Sequence, residues 1–196
     1  MELLDPLESF LKLALIALLI GAGPRARAQL AEPGHFKIVS ASIQKQGGVY
    51  YLNARMELRL SSDARDALRS GVPLTIRLDV ELLHHRHFWM DGDEAVLRQR
   101  YQLEYHALTE RYVVLSLNSG DQTSFGTLHA ALGVLGRVDM LPLIDASLVP
   151  DPKRSYARLR VVLDSDRFPG PLRLLAFWRR DWTIGSDWYR CSLAGK

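Results

Sequence analysis

Strict alternation of apolar and polar side chains constrains this chain more than any other feature. Tyr50, Leu52, Ala54, Met56, Leu58 and Leu60 share one parity, and Tyr51, Asn53, Arg55, Glu57 and Arg59 the other. The run from Val72 to Leu82 repeats it, with Leu74, Ile76, Leu78 and Val80 set against Thr75, Arg77, Asp79 and Glu81. A period of two places each apolar set on one side of an extended strand, whereas a helix would scatter it around its axis. Both runs are therefore half-buried strands, with the even positions from Leu52 to Leu60 and from Leu74 to Leu82 in a core. Arg55, Arg77 and Asp79 are expected to face water.

The same reading extends along the chain. Phe36 to Gln44 opens it as a strand, and Gly47-Gly48 is the turn into the next. Leu97, Tyr101, Leu103 and Tyr105 alternate with Arg98, Arg100, Gln102 and Glu104, and Thr109-Glu110 leads into Tyr112 to Leu117 as a hairpin. Residues 156–164 are again amphipathic, while 172–178 and 188–193 read as closing strands. Two stretches break the rhythm. Residues 62–71 carry a capped-helix signature, with Ser61 or Ser62 at the N-cap and Gly71 as terminator. Phe125, Leu128, Ala131, Leu132 and Leu135 recur at helical spacing between Ser124 and Gly136. Residues 137–154, with Pro142, Pro150 and Pro152, read as a long crossover. The sum is a mainly β chain: an antiparallel β-sandwich with two short helices, or a partly open barrel, because alternation fixes the buried face and not how the sheet closes.

Residues 1–28 read as a signal peptide or an N-terminal anchor, and 29–196 as a single exported β-rich domain. The apolar run from Leu13 to Ala22 is short for a membrane span, and Ala26-Arg27-Ala28 places small residues where a signal peptidase reads, so cleavage before Gln29 is expected. Glu2, Asp5 and Glu8 are unusual in such a leader and favour retention as an anchor. The expected location is the periplasm, with any membrane contact made through the N-terminal segment alone. Cys191 is the only cysteine, so no intramolecular disulfide forms and the core must carry stability. A formal charge of +3 from 25 basic and 22 acidic residues is too balanced for a nucleic-acid binder. The basic residues are 20 Arg and 5 Lys, a bias that lowers the weight of any single arginine cluster.

Candidate sites are sparse. His85 and His87, in His84-His85-Arg86-His87, would share a strand face and chelate a metal only if a third ligand, such as His106 or Glu104, came alongside. The plainer reading is a solvated strand end. No nucleophile elbow or phosphate loop occurs, no catalytic residue stands out, and no cofactor is implied. The aromatics Phe88, Trp89, Trp182 and Trp188, with Arg86 and Asp91 as a polar rim, are candidates for binding a protein partner, since Trp and Arg dominate binding energy at such surfaces. The same aromatics would also serve to plug an open end of the sandwich.

Gly71-Val-Pro-Leu, Arg86-His-Phe-Trp-Met-Asp91, the run from Tyr101 to Tyr112, Ser124-Phe-Gly-Thr-Leu-His-Ala-Ala-Leu132, Pro169-Gly-Pro-Leu-Arg173 and Trp182-Thr-Ile-Gly-Ser-Asp-Trp188 occur in unbroken order. Together they resemble an exported proteobacterial family catalogued as domain of unknown function 4390. Phe88 stands where a paired Trp-Trp is usual and Phe168 where a Leu commonly precedes the proline, and both keep an apolar residue. The resemblance implies a small exported protein with no assigned activity or catalytic residues, and a signalling partner such as a membrane sensor histidine kinase. The expected function is thus a non-catalytic cell-envelope module that binds a protein. A metal-dependent enzyme or a periplasmic lipid-binding protein is the alternative.

Overall fold

A computed structural model describes residues 32–84, 92–149, 151–164 and 184–193. Among these the chain forms nine strands and two α-helices in two antiparallel sheets. The smaller sheet orders β1 (His35–Gln46), β2 (Val49–Arg59) and β7 (Arg137–Asp145) as β1-β2-β7. The larger contains β3 (Leu74–His84), β4 (Gly92–His106), β5 (Arg111–Ser116), β6 (Gln122–Phe125), β8 (Ser155–Leu163) and β9 (Tyr189–Ser192) in the order β6-β5-β4-β3-β8-β9. The arrangement is sandwich-like, and among the described residues no closed barrel forms.

Turn chemistry sets the hairpins. Gly47 and Gly48 both have positive φ (57° and 83°), the pair of left-handed residues that a two-residue hairpin needs to match strand twist. Gln46 consequently pairs with Val49, and the register runs back to His35 opposite Arg59. A bulge between Ile38 and Ser40 inserts one residue in β1. That insertion explains why Phe36 and Ile38 and then Ile43 are all buried although their parity changes.

The helices connect the sheets. α1 (Ser62–Arg69) joins β2 to β3; Ser61 caps it by accepting from the Ala64 N–H at 3.2 Å, and Ala64 and Leu68 are fully buried. α2 (Leu128–Leu135) joins β6 to β7 and is capped by Thr127, whose Oγ1 accepts from the Ala130 N–H at 3.1 Å. Gly136 then passes so close to β2 that its carbonyl accepts from the Met56 N–H at 2.7 Å. A Cβ there would meet the Met56 carbonyl oxygen, so space rather than φ requires glycine.

Leu52, Leu58 and Leu60, with Leu74, Ile76, Leu78, Val80 and Leu82, are buried as alternation requires, and on the strands flanking β3 Leu103 and Leu159 are buried beside Leu74 and Val80. Three expectations are corrected. The second helix starts at Leu128, because Gln122–Phe125 pairs with β5 as an edge strand before the cap at Thr127. Residues 137–154 are not simply a crossover, since Arg137–Asp145 is β7. Its pairing with β2 shifts register twice, and Pro142, opposite Tyr51, sits in an edge strand where a missing N–H is tolerated. Asp79 does not face water. It is buried, and so is Leu78 beside it, which means no register slip has occurred. β3 lies between β4 and β8 and is covered on both faces. The expected closing strand at 172–178 lies outside the described residues.

Candidate functional site: an arginine and carboxylate ladder

The covering on the outer face of β3 is made by guanidinium groups. Alternation puts Arg77, Asp79 and Glu81 on the side opposite Ile76, Leu78 and Val80, and the ladder then sets their neighbours. Asp79 lies opposite Arg98 of β4 and Arg160 of β8; Arg77 lies opposite Arg100; Glu81 lies opposite Arg158. Asp79, whose side chain is 4% exposed, is reached by Arg77 Nε at 3.0 Å, by Arg160 Nε at 3.1 Å and more loosely by Arg98 Nε at 3.7 Å. Glu81 Oε2 accepts from Arg158 Nε at 2.6 Å and lies 2.6 Å from Nη2 of the same guanidinium as an ion pair. Buried Asp164, just past β8, sits 3.2 Å from Arg77 and 4.0 Å from Arg100. Five arginines thus surround three carboxylates.

The ladder is not fully satisfied. Arg77 Nε, Asp79 Oδ1 and Arg100 Nε are buried atoms with no hydrogen-bond partner. The 3.0 Å approach between Arg77 Nε and Asp79 Oδ1 is therefore a charge contact whose N–H does not point along it. Arg77 and Arg100 are like charges facing one another across adjacent strands, an unfavourable pairing that Asp164 relieves only in part.

Trp188 closes one side of this face. The guanidinium carbons of Arg158 and Arg160 lie 4.6 and 4.5 Å from its ring, within cation–π range. Backbone bonds hold the segment in place: the Leu163 N–H donates to Ile184 O at 2.8 Å, the Ser186 N–H to Val161 O at 2.9 Å, and the Val161 N–H to Ser186 Oγ at 3.1 Å. Residues 185–189 border a groove of about 550 Å³ whose other side is His35, Phe36, Lys37 and Ile38 of β1. Among the described residues β1 pairs with β2 alone, and its other edge borders this groove.

Of the sequence-derived candidates, Trp188 lies among the described residues. It is half-buried, and its ring meets two arginines that the composition argued against weighing. Arg86, Phe88, Trp89, Asp91 and Trp182 lie outside the described residues, as do His85 and His87. His106 and Glu104, the third ligands that such a pair would need, stand at the far end of β4 from Gly92, the partner of His84, with His106 roughly 45 Å away along the strand. His84 instead shares a 3.2 Å hydrogen bond with Ser155 Oγ. Among the described residues no group of three or more His, Cys, Asp or Glu is placed to hold a metal. The apolar cavity lined by Val80, Leu82, Leu97, Leu143, Ile144 and Ala157 is about 10 Å³, room for one water, far below a lipid pocket. No helix among the described residues is long and apolar enough to cross a membrane.

Cys191 is half-buried on β9, and burial pushes its thiol from 9.0 up to about 11. The thiolate is the reactive form, so its population at pH 8 falls about a hundredfold below that of a thiol titrating near 9. Iodoacetamide should label native Cys191 about a hundredfold more slowly than the urea-unfolded chain at pH 8, with the rate still rising above pH 10. Equal rates would show an accessible thiolate.

These features define a mainly β, two-sheet module whose polar chemistry, among the described residues, is concentrated on one sheet face. The chain belongs to the family described as domain of unknown function (DUF4390), whose model matches residues 34–192. No curated protein and no solved structure matches it.

Proposed function

We propose that this protein is a non-catalytic module of the cell envelope, exported to the periplasm, that binds another protein through the face built around Trp188. One observation carries the reading. Trp188 is half-buried, with the Arg158 and Arg160 guanidiniums over its ring, and lies at a groove whose opposite wall is a sheet edge. Trp and Arg are the side chains that most often dominate interface energy, and a strand edge beside them offers backbone groups to an incoming chain. The sensor domain of a membrane histidine kinase is the partner that the family resemblance suggests.

Photoreactive residues at positions 37 and 188 test this in cells, with position 108, fully exposed on the β4–β5 hairpin, as control. The expected result is one discrete crosslinked species from 37 and 188 and none from 108. Absence of a crosslink at both, or the same species from all three, overturns the reading. Fractionation with N-terminal sequencing tests location: a periplasmic chain beginning at Gln29, or a retained membrane-anchored one, is expected, and a cytosolic chain keeping Met1 contradicts it.

A further inference from the structure

The arginine ladder carries more positive charge than its own carboxylates neutralise, and the surplus has a definite place. Arg158 and Arg160 are engaged by Glu81 and Asp79 at hydrogen-bond distance. Arg98 and Arg100 are not: among the described residues their side chains have no acid nearer than 3.7 and 4.0 Å, and Arg100 Nε is buried without a partner. Such an arrangement is costly to build. Desolvating several guanidiniums around a buried carboxylate roughly breaks even at best against an apolar surface, and a surplus of like charge on one face tilts it further against stability. Arginines held half-desolvated with forks unfilled are instead pre-organised to accept a carboxylate.

Spacing narrows the ligand. Arg98 and Arg100 are two residues apart on one face of β4, so their stems stand about 6.8 Å apart. Alternate side chains of any extended chain have the same spacing. We infer that Arg98 and Arg100 form a docking site for an extended acidic segment of the protein partner, with carboxylates at alternate positions entering the two guanidinium forks. This inference rests on the partner-binding reading above and names the chemistry of that partner. A phospholipid headgroup has no reason to match the period, and these two arginines stand 3.7 and 4.0 Å from buried carboxylates of their own sheet, unlike the freely solvated basic cluster of a membrane-binding segment.

The test is fluorescence anisotropy with the full chain and a labelled peptide of about eight residues alternating Glu and Thr, whose extended form places every acid on one face. Its comparison partners are a Gln-Thr alternating peptide, a peptide of the same composition with its Glu residues contiguous, and phosphatidylglycerol vesicles. Binding is expected to be strongest for the alternating acidic peptide and to weaken as salt is raised to about 0.5 M. Arg98→Gln/Arg100→Gln should weaken it at least tenfold, since each charge-assisted pair lost is worth about that factor. Arg98→Lys/Arg100→Lys keeps charge and fold and should recover only part of the affinity, because lysine lacks the fork. Arg55→Gln, on the other sheet, should leave it unchanged.

The inference is overturned if the alternating peptide fails to bind at about 1 mM, the weak end of measurable affinity. It is equally overturned if the contiguous peptide binds as well, if Arg55→Gln loses as much as the double variant, or if vesicles bind through Arg98 and Arg100 while the peptide does not. Crosslinks at 37 and 188 with no acidic-peptide binding would leave partner binding standing and remove only this assignment.

Discussion

Replacing Asp79 by Asn should destabilise the fold by about 3 kcal/mol and lower Tm by roughly 6–12 °C for a domain of this size. Removing one member of a buried ion pair strands the other, a cost of about 3–5 kcal/mol in a dry interior. Here three guanidiniums converge on one carboxylate that is 4% exposed. Arg98 and Arg160, at 58% and 37% exposure, can swing partly into water, whereas Arg77, at 21%, cannot, and the expected value therefore lies toward the low end. Asp139→Asn is the control. Its pair with Arg55 is close, at 2.7 Å, but both partners are largely exposed, so loss of the pair should cost under about 0.5 kcal/mol. Urea denaturation of both variants decides the matter, and equal midpoints would show that the ladder is solvated in practice.

How much of this architecture can be read before the coordinates depends on which force chose each segment. Where burial alone decides, alternation is enough: Leu52 to Leu60 and Leu74 to Leu82 lie where period two puts them. Local chemistry is just as legible at the Gly47-Gly48 turn and the Ser61 cap, where one side chain or one backbone angle determines the outcome. β6 and β7 are different. Gln122–Phe125 is too short and polar to declare itself, and β7 contains Pro142 and two register shifts; both exist because a neighbouring strand offers a ladder, which is a tertiary fact.

The polar face was hidden for another reason. Its members fall at i, i+2 positions on three strands, Arg77 with Asp79, Arg98 with Arg100, and Arg158 with Arg160, and that pattern is visible in the chain. Its meaning is not, because only the register reveals that all three pairs face one another around Asp79. An arginine-rich composition gave a bland explanation for each pair separately. The expectation that outward residues of an amphipathic strand face water failed at the central strand, where long side chains from both neighbours lie across it. Trp188 stands out in the chain on aromatic character alone, while the arginines over its ring are revealed only by the sheet order.

Leu78→Ala should cost about 4 kcal/mol, and its response to salt should distinguish it from the change one residue along. Leu78 is 1% exposed on the inner face of β3, in the middle of the six-stranded sheet, and truncation there leaves a cavity that strands paired on both sides cannot collapse to fill. Leu108→Ala, at a fully exposed turn, should shift stability by less than about 0.5 kcal/mol. Leu78 and Asp79 are consecutive, both buried, and point to opposite faces, so both substitutions damage the same strand by comparable amounts for unrelated reasons. In Asp79→Asn the penalty includes mutual repulsion among guanidiniums that reach solvent, and about 0.5 M salt should relieve part of it. An apolar cavity has no charge to screen, and the Leu78→Ala penalty should stay constant across the same range. Identical salt responses would mean that the outer face contributes through packing of arginine stems and not through charge, and the case for an unfilled acidic docking site at Arg98 and Arg100 would lose its electrostatic basis.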